Sequence, residues 1–184
     1  MKMPTFNVDQ VVATIPGPEL AEAVAAYYQR NAARLAPVQP TPPEGFYTAS
    51  FWADRLAKAQ QEYGSGLSLR LFLLDGAEVA GHINYTSFLR GPLQQCFLGY
   101  GIDAASEGKG LLRRMLEQTN AWVFAQMGVH RISANYMPGN ERSGALLRRL
   151  GFTVEGYARD YLLLDGQWRD HILTALINPA WQVG

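Results

Sequence analysis

The chain has 184 residues, of which 48% are hydrophobic and 17% charged, with 16 basic side chains balancing 16 acidic ones. This length suits one domain with a real core, and this composition suits a soluble globular protein. Zero net charge excludes the basic field that drives non-specific nucleic-acid binding, and no apolar run approaches the about 20 residues of a membrane helix.

The segment up to Ile15 is expected to add an edge strand, broken by Pro16-Gly17-Pro18. Pro18 suits a first helical turn. Glu19 to Leu35 then reads as a helix anchored by Leu20, Val24, Tyr27, Tyr28 and Leu35. Pro37, Pro40, Pro42 and Pro43 stiffen a loop, and Thr48 to Tyr63 reads as a second helix ended by Gly64-Ser65-Gly66. Strands are expected over Leu67 to Leu74 and Glu78 to Ser87, with Asp75-Gly76 as the hairpin turn. After a turn at Arg90-Gly91-Pro92 comes a buried strand, Gln94 to Asp103. Lys109 to Met127 is a long helix closed by Gly128. Arg131 to Tyr136 is the next strand, and Asn140 to Leu150 a short helix closed by Gly151. Thr153 to Leu164 and Gln167 to Ile177 form a last hairpin around Asp165-Gly166. The strand-helix-strand run from Gln94 to Tyr136 makes its two strands parallel neighbours, while the hairpins add antiparallel ones. A mixed sheet with helices on both faces follows, with no domain boundary.

Cys96, the lone cysteine, lies in an apolar stretch and reads as a small buried hydrophobe, which suits a reducing cytoplasm. The opening residues, with Pro4 and Asp9, do not read as a secretory leader. His82, His130 and His171 lack metal-ligand spacing, so no metal is expected. The pairs Arg113-Arg114 and Arg148-Arg149 read as solvated helix faces.

Two segments carry chemistry. In the first, Leu98-Gly99-Tyr100-Gly101-Ile102 leads to Glu107-Gly108-Lys109-Gly110-Leu111, a strand feeding a glycine turn that opens a helix. Such a turn points free backbone N–H groups at an anion, and the missing Cβ atoms let phosphate approach. Gly99 to Ala104 also matches the loose dinucleotide fingerprint G-x-G-x-x-G/A, but its first half lies in a strand, the helix opens only after Gly108, and no acidic residue follows at the required distance. A phosphate loop of the form G-x-x-x-x-G-K-S/T fails, because Asp103 stands in the first glycine's place and Gly110 follows Lys109. An acyl-coenzyme A turn and an ordinary strand-to-helix turn remain. The second segment, from Asn135 through Asn140-Glu141-Arg142-Ser143 to Leu150-Gly151-Phe152, is a strand feeding another helix with polar groups at its start.

Together these segments resemble the GNAT superfamily of N-acetyltransferases and, within it, the ribosomal-protein-alanine N-acetyltransferases of the RimJ/RimL group, nearest the RimJ branch. The likeness begins near Tyr28-Gln29-Arg30-Asn31 and is densest from His130-Arg131-Ile132 through Ala134-Asn135-Tyr136-Met137-Pro138. It continues through Arg142-Ser143-Gly144, Glu155-Gly156-Tyr157 and Asp160-Tyr161-Leu162-Leu163 to Asp165-Gly166-Gln167-Trp168-Arg169-Asp170-His171. The resemblance implies a single GNAT domain over residues 1–184, an α/β (α+β) fold with a mixed, mostly antiparallel sheet of six to seven strands, splayed between the fourth and fifth. It implies acetyl-CoA as donor, with no metal, and the α-amine of a ribosomal protein with a small first residue as acceptor. An α-amine, with a pKa of about 7.7–8.0, demands less of a base than lysine at about 10.4. Other readings are acetylation of a small-molecule amine, or a noncatalytic acyl-CoA-binding module on the ribosome. Neither direct nucleic-acid binding nor a membrane is expected, and the protein is expected to be a monomer or homodimer.

The resemblance also assigns residues. Backbone amides around Leu98, Gly99 and Tyr100 would face the thioester, with Gly99 and Gly101 suited to a bulge before Ile102. Glu107, Gly108, Lys109, Gly110 and Leu111 would hold the diphosphate; Asn135 would fix the pantetheine amides or else shape a turn, and Asn140 would contact the coenzyme, cap the helix, or do both. Ser143 matches the family's general acid, although a hydroxyl there can also serve the helix start. Asp160 is the first candidate base, with Asp170 or a water path as alternatives, or a plain surface charge. Ala105 stands where the family has Gln or Arg, and Phe97 where many relatives have glutamate. Phe46, Tyr47, Trp52, Trp168 and Arg169 would border the acceptor, or the first three pack in the core.

Overall fold

Asp9, at φ 52°, turns the chain back on itself after three residues. The single edge strand expected here is therefore an antiparallel pair, β1 (Phe6–Val8) and β2 (Val11–Thr14). The computed structural model describes residues 3–182. A short 3₁₀ turn, Pro18–Leu20, leads into α1 (Ala21–Arg30) and α2 (Ala32–Leu35). The one long helix expected over Glu19 to Leu35 is thus interrupted. Buried Asn31 stands at the break, and its Nδ2, at 2.9 Å, shares the Tyr27 carbonyl with its own N–H, at 3.2 Å.

α3 (Ala49–Gly64) follows, capped by the Thr48 hydroxyl, which accepts from the Phe51 N–H. Then come β3 (Leu69–Asp75), β4 (Glu78–Leu89), β5 (Gln95–Ile102), α4 (Leu111–Gln126), β6 (Arg131–Ser133), α5 (Glu141–Arg149), β7 (Thr153–Leu164) and β8 (Gln167–Ile177). The sheet order is β1-β2-β3-β4-β5-β6-β8-β7, and β5 with β6 is its one parallel pair among the described residues. The sheet has eight strands where six to seven were expected, because the N-terminal segment doubles back. Leaving out β1, the parallel pair is the fourth and fifth strand.

Side-chain alternation gives the sheet two faces. Leu69, Leu71 and Leu73 join the larger core with Cys96, Leu98, Met115 and Leu116 of α4 and Leu147 of α5. Phe72 points the other way, into a smaller core with Val24, Tyr27 and Tyr28 of α1 and Trp52 and Leu56 of α3. Trp52 stacks on Tyr28, ring centres 4.6 Å apart, and its indole N–H donates to the Phe46 carbonyl. Trp52 and Phe46 are packing residues, and Tyr47 is exposed.

β4 and β5 run unusually close. A Cβ on Gly81 would lie 2.6 Å from the Gly101 carbonyl oxygen, and one on Gly101 would lie 2.6 Å from Cε1 of His82. The register between these strands is unbroken from Gly81↔Ile102 to Thr86↔Phe97. The bulge expected at Gly99 and Gly101 is therefore absent from this pairing. Gly101 is small because the His82 ring fills its space, and Gly99 opens onto empty space.

His82 lies against Tyr28, with Nδ1 3.2 Å from the Tyr27 hydroxyl, and burial lowers its pKa from 6.5 to about 4. The unfolded chain protonates first as pH falls, so the stability this neutral ring contributes is full above 6.5 and is lost toward 4. An NMR titration is expected to place the His82 midpoint near 4, and a midpoint at the ordinary 6.5 would show the ring to be solvated.

Candidate active site

Three residue pairs join β5 to β6: Gln95↔Arg131, Cys96↔Ile132 and Phe97↔Ser133. Past them β5 stays with β4 as far as Ile102, while the chain after β6 stays with β8. Ala134 N–H donates to the Thr174 carbonyl at 3.0 Å, and Tyr136 and Ile172 exchange bonds at 3.2 and 2.8 Å. The strand expected to reach Tyr136 therefore pairs with both neighbours only to Ser133. A gap opens between Leu98–Ile102 and the segment after Ser133, and alternate backbone groups of β5 point into it. Asn135 stands at its mouth. Its Oδ1 accepts from the Thr174 N–H at 3.2 Å, and its Nδ2 donates to the Tyr161 hydroxyl at 3.1 Å.

The turn after β5 ends in Gly108 and Gly110, at φ 75° and 70°. A Cβ would be strained at such angles. Gly110 is the cap of α4, and no side chain caps the helix start, so the N–H groups of its first turn stay free. Nothing lies within 4 Å of where either glycine's Cβ would be. The result is an open cradle of backbone donors beside the Lys109 charge, fit for a diphosphate. Because of the two left-handed glycines the helix begins at Leu111, two residues later than expected. The Glu107 carboxylate sits between two guanidiniums, each 2.5 Å away: Arg34 of α2 and Arg142 of α5. Asp103 is paired with Arg30 at 2.6 Å. Among the described residues no group of three or more His, Cys, Asp or Glu side chains is arranged to hold a metal.

At the start of α5, the Asn140 side chain accepts from the Ser143 N–H at 3.1 Å. Asn140 is therefore the cap, and the Ser143 hydroxyl is free for another partner. That partner is the Tyr100 hydroxyl, 2.7 Å away across the gap. Burial pushes the Tyr100 phenol up to about 12, so it stays protonated at neutral pH. Asn140→Ala is expected to remove the cap and cost about 1 kcal/mol, read as a melting-temperature drop of about 2–4 °C. An unchanged melting temperature would show that another group serves the helix start.

The opposite face of the gap carries Phe97 and Gly99, and β8 turns His171 toward the same side. Opposite His171, β7 bulges: Ala158 pairs with His171 and Leu162 with Arg169, leaving three residues against one. Within the bulge Asp160 is left-handed at φ 46°. Asp170 pins it, accepting from the Asp160 N–H at 2.9 Å and from the Tyr157 hydroxyl. These bonds hold the Asp170 carboxyl below its ordinary range. Asp170 is thus engaged in structure, while the exposed Asp160 carboxylate makes no hydrogen bond among the described residues. No hydrogen bond links Asp160 to Ser143 among the described residues. The bulge aims Tyr161 over His171, ring centres 5.4 Å apart, toward Asn135. Arg169 is half-buried and Trp168 exposed. Beyond the bulge, Leu164 is buried and the Asp165 N–H donates to the Gln39 carbonyl at 3.2 Å, tying the β7–β8 tip to the proline-rich segment.

The structure places Leu98 to Ile102, Glu107 to Leu111, Asn135, Asn140 and Ser143 around one gap, and there it shows three side-chain contacts that sequence reasoning missed. The Tyr100 hydroxyl is one, and strand alternation with Cys96 and Leu98 was the signal for it. Tyr161 is another; nothing in Arg159-Asp160-Tyr161 announces a bulge. Arg142 is the third, hidden among surface arginines.

Known proteins share this fold. A family model described as an acetyltransferase (GNAT) domain matches residues 16–153. The [ribosomal protein uS5]-alanine N-acetyltransferase of Escherichia coli (strain K12) is 42% identical over 181 residues, 97% of this chain and 93% of that protein. The crystal structure of a ribosomal-protein-S5-alanine acetyltransferase from Vibrio fischeri superposes with a TM-score of 0.93 at 33% identity, covering 98% of this chain and all (100%) of that one. Mycobacterium smegmatis RimJ in complex with CoA-disulfide gives a TM-score of 0.85 at 26% identity, covering 95% of this chain and 86% of that one.

Proposed function

We infer the reaction from the family: the chain belongs to the GNAT acetyltransferases and is an acetyl-CoA-dependent N-acetyltransferase. We read its acceptor as the α-amine of a ribosomal protein whose first residue is small, alanine above all. The observation that carries this reading is the 42% identity to the uS5-alanine enzyme, which spans 97% of the chain and so takes in the acceptor-side helices as well as the donor turn.

Acetyl-CoA supplies the acyl group, activated as a thioester. The amides of Gly108 to Leu111 bind its diphosphate, with Lys109 adding charge. The parted edge of β5 around Leu98 to Tyr100 offers donors to the carbonyl oxygen as negative charge develops there. Ser143 gives its proton to the leaving thiolate, and Tyr100, a stronger acid than an aliphatic hydroxyl, replaces it and is re-protonated by water. A thiol with a pKa of about 8.5 is a stronger acid than either hydroxyl, so the proton stays on sulfur because water refills the Ser143–Tyr100 pair from its far end. The acceptor amine arrives from the Phe97–Gly99 face, partly neutral at pH 7, and Asp160 takes its proton through water. Holding both reactants in one gap makes the encounter effectively intramolecular.

Among the described residues no helix is long and apolar enough to cross a membrane. Cys96 is buried and its thiol is pushed up to about 12 by that burial, so it is an inert packing residue; we place the protein in the cytoplasm. We take it to act as a monomer or homodimer without direct nucleic-acid contact. The test is mass spectrometry of unmodified ribosomal proteins incubated with this enzyme and acetyl-CoA. One N-terminus carrying a new acetyl group is expected. Acetylation of polyamines with every ribosomal N-terminus left free would replace the acceptor.

A further inference from the structure

We propose that Arg142 is a phosphate-gripping residue of the coenzyme site, parked on Glu107 while the site is free. Glu107 ends one wall of the gap, immediately before the cradle glycines, and Arg142 lies in the first turn of α5 on the other wall. Their pair, at 2.5 Å, spans the mouth through which the coenzyme's arm must pass. The carboxylate has two arginine partners of different character. Arg34 is fixed, because it also donates to Asn31 Oδ1 at 3.1 Å and to the Ile102 carbonyl, and its side chain is 38% exposed. Arg142 is 85% exposed and has Glu107 as its one hydrogen-bond partner among the described residues.

A diphosphate on the amides of Gly108 to Leu111 comes to rest beside Glu107, whose negative charge repels it. Arg34 alone neutralises that carboxylate, so the second guanidinium is surplus to Glu107 and lies at the rim where phosphate charge arrives. An exposed ion pair is weak and readily exchanged. A guanidinium with five donors can turn from a carboxylate to a phosphate, or bridge both. Glu107 thus keeps Arg142 aimed at the mouth without holding it firmly. This assignment concerns the donor alone and stands whichever amine accepts.

The test is calorimetric titration of coenzyme A, with ligand-observed NMR for pantetheine, which lacks all the phosphates. Arg142→Gln is expected to weaken coenzyme A about tenfold and to leave pantetheine unchanged, while Arg142→Lys restores part of the loss. Glu107→Gln, which removes the competing charge, is expected to bind coenzyme A as tightly as the parent or more so. Unchanged coenzyme A affinity in Arg142→Gln would overturn the proposal. So would an equal loss for pantetheine, which would mark a role in folding the mouth, or a loss in Glu107→Gln matching that of Arg142→Gln.

Discussion

Ser143→Ala is expected to lower turnover about a hundredfold while acetyl-CoA affinity stays within about twofold. The side chain can be removed cleanly. Its N–H is capped by Asn140, so α5 keeps its start, and among the described residues the hydroxyl has Tyr100 as its one hydrogen-bond partner. In the proposed mechanism the alanine variant loses the proton donor for the leaving sulfur. Tyr100→Phe is expected to cost about tenfold, because Ser143 remains but is re-protonated by water. Thiol release under saturating acetyl-CoA measures both. Unchanged turnover in Ser143→Ala would rule out the acid role. A loss confined to coenzyme affinity would make Ser143 a positioning residue. With Tyr100 raised to about 12, no loss of rate from its ionisation is expected below pH 10.

The second large effect is on stability. Gly81→Ala is expected to destabilise the fold by about 3 kcal/mol, a drop of roughly 6–12 °C in melting temperature. The new Cβ would meet backbone: the Gly101 carbonyl oxygen at 2.6 Å and the Ile102 Cα at 3.2 Å. No rotamer relieves that contact, so β4 and β5 must move apart at the end that leads into the coenzyme turn. Asp103, whose N–H donates to the Ala80 carbonyl at 2.7 Å, would shift with them. Scanning calorimetry reads the first effect and coenzyme titration the second. A variant that melts with the parent would mean the strands are already more separate than described.

The final hairpin was legible to the residue, because Asp165-Gly166 specifies its turn. Helices were legible where caps and periodicity agree, as at Thr48 and Gly128. The break at Asn31 was not, since what marks it is a buried side chain bonded to a carbonyl of its own helix. Nor was the early end of β6. Ile132, Ala134 and Tyr136 keep the alternation of a strand, and it is the departure of β5 that ends the pairing, a fact carried by neither segment alone. The bulge at Asp160 was silent for the same reason: its pin, Asp170, comes from the partner strand.

The bond from Asp165 to Gln39, with Leu164 buried beside it, fastens the outermost hairpin of the sheet to the segment that joins the first helices to α3. A change in either stretch is therefore felt by the other, although they lie at opposite ends of the chain.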